Sequence, residues 1–186
     1  VILLLTLVNC NYKNDIETTA IQASSYIVIE QSTNKILEGY NYDTQRSVAS
    51  ISKIMTAIVV IERVNIDSYT IVPEEVMKVY GSSVYLKVNE KVSIKDLLYG
   101  LLLRSGNDAA ITLSLAICNS VDEFVMLMNQ KASELNMKNT IFSNPHGLDE
   151  MDNGNISTAY DMALLYSYCL QNPMFVDITS CKSYGN

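Results

Sequence analysis

Histidine occurs once in this chain, at His146, and the four cysteines (Cys10, Cys118, Cys169, Cys181) are scattered without a Cys-x-x-Cys. That is neither a zinc pattern nor a disulfide framework. Cys118 and Cys169 fall in apolar helical runs, where buried free thiols are expected. Basic charge is also scarce. Lys and Arg number 13 against 20 Asp and Glu, leaving a net charge of −7. No basic patch emerges, which argues against nucleic acid as a partner. No Gly/Ser/Pro-rich linker divides the chain and no internal repeat is visible. What is present is apolar: 48% of the 186 residues are hydrophobic and 18% charged, enough for one globular domain with a real core.

The only apolar run near the start, Val1–Val8, is too short to span a bilayer. It looks like the tail of a signal peptide without its basic start. Asn9-Cys10 follows and hints at a lipoprotein cysteine, although Asn9 is larger than the small residue usual there. Residues 1–20 are thus expected to be a leader remnant. The mature protein is expected outside the cytoplasm, with its mode of membrane association left open.

The stretch that organises the chain is Val48-Ala49-Ser50-Ile51-Ser52-Lys53-Ile54-Met55-Thr56-Ala57. Ser50 and Lys53 stand three apart, so a helix places them on one face. The run that follows, through Ile61, is apolar nearly all round, as in a core helix. A hydroxyl and an amine are therefore carried into the interior side by side. A hydroxyl needs a base to become a nucleophile, and burial lowers a lysine's pKa until it can be one. Taken alone, the pair reads equally well as an ordinary serine N-cap. A second Ser-x-x-Lys, Ser32–Lys35, lies in a polar turn and is read as chance.

In chain order, Ser24–Glu30 and Lys35–Tyr40 read as a hairpin. The Ser50 helix runs to about Val64, and 65–172 is mainly a helical lobe. Val84 to Val88 is expected to be a short extended piece. Ser93 to Asp96 looks like a capping box before a helix that stops at Arg104. Ser105 and Asn107 occupy a glycine-containing joint before the next helix, which is expected to begin at Asp108 and run to about Cys118. Val121, Phe124, Val125, Met128, Ala132 and Leu135 mark an amphipathic helix. Asn136 ends it with left-handed backbone. Ser157 is expected to cap a last helix closed by Asn172-Pro173. His146, in a turn beside Pro145 and Gly147, is read as structural.

These blocks resemble the serine-type D-alanyl-D-alanine carboxypeptidases, the low-molecular-mass penicillin-binding proteins. Ala49–Ala57, Asp96–Ala110, Asn144–Asp149 and Ser157–Ala163 carry the resemblance, in family order. Ser-x-x-Lys and a Ser-x-Asn such as Ser105-Gly106-Asn107 are two of the three signature motifs of penicillin-binding proteins and class A β-lactamases. The resemblance implies an α+β, penicillin-binding/β-lactamase-like fold, an antiparallel sheet with flanking helices plus a helical lobe, with residues 21–186 forming the N-terminal part of one catalytic domain. It implies that Ser50 is acylated by a peptidoglycan stem peptide ending in D-Ala-D-Ala and that Lys53 accepts its proton. Ser105 relays protons to the leaving amine. Asn107 binds the substrate amide and orients Lys53. β-Lactams would be acylating inhibitors, and no metal or organic cofactor is needed.

Departures from the pattern qualify this. The third motif, Lys-Thr/Ser-Gly, is absent, and Lys182-Ser183-Tyr184-Gly185 does not supply it. The resemblance implies that further strands carry that motif, so the chain as given is expected to be inactive and poorly soluble. Asn89, Asn136 and Asn155 stand where relatives often have Gly, Gly and His. The rival readings are a β-lactamase of the same fold, for which no deacylating glutamate is marked, and a non-catalytic peptidoglycan-binding or vestigial protein.

Overall fold

The computed structural model describes residues 21–149 and 154–185. The expected leader, with Cys10, lies outside the described residues. Strands β1 (Tyr26–Glu30) and β2 (Lys35–Tyr40) pair antiparallel with Tyr26 opposite Tyr40. Their turn is closed by the Glu30 carboxylate, which accepts from the Ser32 and Thr33 hydroxyls. The second Ser-x-x-Lys is therefore a hairpin turn, as expected.

The centre of the molecule is α1 (Lys53–Ile61), entered through a 3₁₀ turn, Ala49–Ser52. Met55, Ala57, Ile58, Val59 and Val60 are fully buried, so the helix is apolar all round because it is surrounded all round. Its neighbours are α2 (Ile94–Arg104), α3 (Asn107–Ile117), α4 (Val121–Glu134), α5 (Ala159–Cys169) and α6 (Pro173–Ser180). Leu98, Leu101, Leu113, Phe124, Met128, Leu165 and Phe175 close the core around it. Each such side chain contributes about 1.5–3 kcal/mol by leaving water. Among the described residues no single helix is long and apolar enough to cross a membrane.

Local signals set the helix ends. The Ser93 hydroxyl accepts from the Asp96 N–H at 3.0 Å, and Ser120 does the same for Glu123. The backbones of Asn89 (φ 66°) and Asn136 (φ 58°) are left-handed, the conformation asparagine tolerates in place of glycine.

Four expectations need correcting. The α5 cap is Thr158, whose hydroxyl accepts from Asp161 N–H, because Ser157 belongs to a two-residue strand, β6 (Ile156–Ser157), paired with β3 (Arg46–Ser47). Asn172-Pro173 does not close the last helix. Asn172 accepts from Met174 and Phe175 N–H and so starts α6, with Pro173 in its first turn, where a missing N–H costs nothing. Residues 84–88 are irregular, because Tyr85 is left-handed (φ 64°). A short ladder of β4 (Tyr69–Ile71) with β5 (Lys91–Ser93) lies inside the expected helical lobe. Of the helical cysteines, Cys169 is buried; Cys118 is half-buried, just past the end of α3.

Asp108 holds the irregular stretch. Its carboxylate accepts from the Ser83 hydroxyl and from the Val84, Leu86 and Ala109 N–H groups. Burial pushes its pKa up, but these bonds together outweigh that and leave it below the ordinary value. Asp108→Asn should cost about 1.5–3 kcal/mol of unfolding free energy, the range for hydrogen bonds to a charged group, measured in urea at neutral pH. Because the folded-state pKa is the lower one, this stability is present above about pH 4 and fades as pH falls through the folded value. The gap between parent and variant should therefore close in acid.

Candidate active site

Ser50 lies in the 3₁₀ turn and Lys53 is the first residue of α1. Lys53 is 2% exposed, while Ser50 faces solvent. The Lys53 Nζ lies 3.1 Å from the Ser50 Oγ and 2.5 Å from the His146 carbonyl oxygen. Ser50 makes no N-cap bond; its oxygen accepts from the Lys53 amine. Burial lowers the Lys53 pKa to about 8, and no carboxylate bonds it among the described residues. Once the amine is neutral, an N–H can remain on the carbonyl while the lone pair receives the Ser50 O–H.

The turn at 145–147 is pressed onto this segment at three points. The Thr56 hydroxyl donates to the Pro145 carbonyl at 2.7 Å, and Lys53 donates to that of His146. Gly147 (φ +86°) sits so close that a Cβ there would lie 2.0 Å from the Ala49 oxygen. Ala49 is itself left-handed (φ 43°), and its carbonyl also takes the Ser52 hydroxyl at 2.7 Å. The turn holds its own shape through asparagine. Asn144 Oδ1 accepts from His146 and Gly147 N–H, and its Nδ2 donates to the Leu148 carbonyl. Sequence reasoning missed the His146 carbonyl, since a backbone oxygen has no residue signature; Pro-His-Gly beside an asparagine was the available signal. The His146 ring is structural, with Nδ1 accepting from Leu148 N–H. Burial, and secondarily the Lys53 charge, push its pKa down to about 4.

Ser105 and Asn107 share the joint between α2 and α3. Ser105 is left-handed (φ 56°) and ends α2; Asn107, placed between helices by the sequence, is instead the first residue of α3. Asn107 Nδ2 donates to the Tyr80 carbonyl at 2.6 Å, and its backbone N–H to that of Ser82. Asn107 therefore also fastens the 80–82 loop. It makes no bond to Lys53, whose orienting partner is the His146 carbonyl. Ser105 Oγ and Asn107 Oδ1 are the two buried side-chain polar atoms without a hydrogen-bond partner among the described residues. Each costs about 1–3 kcal/mol in that state, and two at one joint mark a place where a ligand can be met. A cleft of about 390 Å³, lined by Ser82, Ser83, Asn107 and neighbours, borders it. A larger cleft of about 490 Å³, between α2 and Lys182–Tyr184, is lined by none of the four candidate residues. There Tyr184 stacks on Tyr99 at 3.7 Å and its hydroxyl bonds Asp96.

A serine hydroxyl beside a buried lysine amine, on a helix wrapped by other helices, pairs a potential nucleophile with a potential base. The chain belongs to the D-alanyl-D-alanine carboxypeptidase family, whose sequence profile matches residues 12–184. Among curated relatives it is 37% identical to the carboxypeptidase DacF of Bacillus subtilis over 149 residues, covering 77% of this chain and 38% of that protein. It is 37% identical to DacD of Escherichia coli over 177 residues, covering 88% and 45%. The chain thus spans less than half the length of these relatives. The crystal structure of a D-alanyl-D-alanine carboxypeptidase from Mycobacterium tuberculosis superposes with a TM-score of 0.84 at 30% identity, over 87% of this chain and 61% of that one. Penicillin binding protein 6B from Escherichia coli gives 0.81 at 35%, over 88% and 55%.

Gly147→Ala should be severe. The left-handed angle alone costs an alanine about 1–2 kcal/mol, and the clash with Ala49 adds to it. A drop in thermal midpoint together with slower acylation of Ser50 is expected. An unchanged midpoint would contradict the close packing of the turn on Ala49.

Proposed function

We propose that this chain provides the acylation machinery of a serine D,D-carboxypeptidase acting on peptidoglycan stem peptides that end in D-Ala-D-Ala. The observation that carries it is the 3.1 Å contact of the Ser50 hydroxyl with the buried Lys53 amine, within a chain of this family. In this reading neutral Lys53 takes the Ser50 proton as Oγ attacks the carbonyl between the two D-alanines. The C–N bond breaks and the proton is delivered to the leaving D-alanine amine, with the Ser105 hydroxyl as relay. Asn107 Oδ1 accepts the N–H of the substrate amide. Water, deprotonated by the same lysine, then cleaves the ester and releases the shortened peptide. The partnerless Ser105 and Asn107 oxygens support these roles, because both could take a partner from substrate. The exported, extracytoplasmic location and covalent capture of β-lactams belong to the same proposal.

The test uses the full-length protein. A fluorescent penicillin should attach to Ser50, as mapped by mass spectrometry, and D-alanine should be released from a diacetyl-Lys-D-Ala-D-Ala peptide. Ser50→Ala should abolish both. Lys53→Arg should also abolish acylation, because a guanidinium does not give up its proton. The sign of the pH dependence follows from the lowered pKa. Lys53 is a base only when neutral, so acylation should rise with pH through about 8. An adduct that survives Ser50→Ala would overturn the assignment. Rapid nitrocefin turnover with no release of D-alanine would favour a β-lactamase.

A further inference from the structure

We infer that Asn155 is a positioning residue for the acylation step, tying the turn that holds Lys53 to the segment that carries Ser50. The inference deepens the proposed function and rests on it. Asn155 is fully buried, yet touches neither Ser50 nor Lys53 by hydrogen bond. Both ends of its side-chain amide are engaged. Oδ1 accepts from Ser143 N–H at 2.7 Å and from Asn144 N–H at 3.1 Å, and Nδ2 donates to the Asn144 carbonyl at 2.9 Å. These three bonds fix residues 143–144, the start of the turn whose next two carbonyls grip Thr56 and Lys53. The backbone of Asn155 acts on the other side. Its carbonyl accepts from Val48 N–H at 3.0 Å, two residues before Ser50, just beyond the β3–β6 ladder.

One residue therefore spans both halves of the Ser50–Lys53 pair. Among the described residues the two halves also meet at Ala49, Lys53 and Thr56 and through the Ser47 hydroxyl, which donates to the Asp149 carboxylate. An alanine at 155 would strand two buried N–H groups and one carbonyl, and residues 143–144 would move to find partners. Any such movement passes to the His146 carbonyl, two residues on, and changes both the distance of Nζ from Ser50 and its access to water. A misplacement of about 1 Å in a reacting pair can cost on the order of a hundredfold in rate.

The experiment compares the full-length protein with Asn155→Ala and Asn155→Asp. Asp keeps the two acceptor bonds and loses the donor. Three quantities are read: the thermal midpoint, the second-order acylation rate with a fluorescent penicillin per folded molecule, and the pH midpoint of that rate. Both variants should lose rate, Ala by roughly ten- to a hundredfold and Asp by less. The pH midpoint should move upward as Lys53 regains water and returns toward the ordinary lysine value. A residue that merely stabilises the fold would lower the thermal midpoint while the folded fraction reacts at the parent rate and parent pH midpoint. That result, in whichever variant folds, overturns the inference. A parent protein that is not labelled at all fails at the proposed function instead, and takes the inference with it.

Discussion

The structure depends on holding one amine out of water without giving it a counter-ion. Lys53 enters the core on a helix whose other residues, Thr56 apart, are apolar. Left there alone it would be a costly polar group. The solution is a turn brought from about ninety residues away, whose His146 carbonyl meets the amine. A carbonyl satisfies an N–H and leaves the amine free to lose its proton. A carboxylate in the same place would favour the charged form and hold the proton on. The lysine on the far side of the core makes the contrast. Lys131 is also largely buried, but is bonded to Glu62 at 2.7 Å and Glu134 at 3.0 Å. Burial pulls its pKa down, and the two carboxylates more than reverse that, leaving it raised and permanently charged. The same kind of side chain, buried in both places, holds its proton weakly or firmly according to its partners.

Placing that carbonyl requires backbone to approach backbone, which explains the chemistry of the turn. Only a residue without a Cβ fits against Ala49. Asn144 and Asn155 supply the bonds that a strand or helix would otherwise supply, because a turn this tight cannot pair its own N–H and C=O groups. Their amides both donate and accept, so a pair of them can satisfy a run of orphaned peptide groups. Bulk here would separate the elements that must touch.

How much of this could be read from the sequence follows from the range of each interaction. Ser50 with Lys53 is an i, i+3 pair, so spacing alone put the two side chains together. The β1–β2 hairpin was legible for the same reason: a β-branched run and a short return strand joined by a polar turn. The β3–β6 ladder was not, since two residues at 46–47 meet two at 156–157 and neither pair has a pattern of its own. Asn172-Pro173 was misread because asparagine and proline punctuate both ends of helices; the apolar Met174, Phe175 and Ile178 beyond it were the cue to a further helix. Asn107 stood out in the Ser-x-Asn motif but not as the clasp on Tyr80, because that bond goes to a backbone oxygen. Asn155 had no visible role in the sequence, since all its partners are peptide groups.

Strain and unmet hydrogen bonds are not spread evenly through the fold. Among the described residues seven non-glycine residues have left-handed backbone, and four of them are asparagines, which tolerate it. Two of the other three are Ala49, next to Ser50, and Ser105. The two partnerless buried oxygens belong to Ser105 and Asn107. Each of these features opposes folding by about 1–3 kcal/mol, and none would survive in a region optimised only to fold. The surrounding helices can carry the cost, because α1 and its neighbours supply most of the buried hydrophobic core. Strain next to Ser50 presents its hydroxyl to solvent while its neighbour Lys53 stays buried, an arrangement a relaxed helix start would not give. The buried core and the strained rim are therefore one arrangement, in which hydrophobic burial around α1 fixes Lys53 and leaves Ser50 exposed beside it.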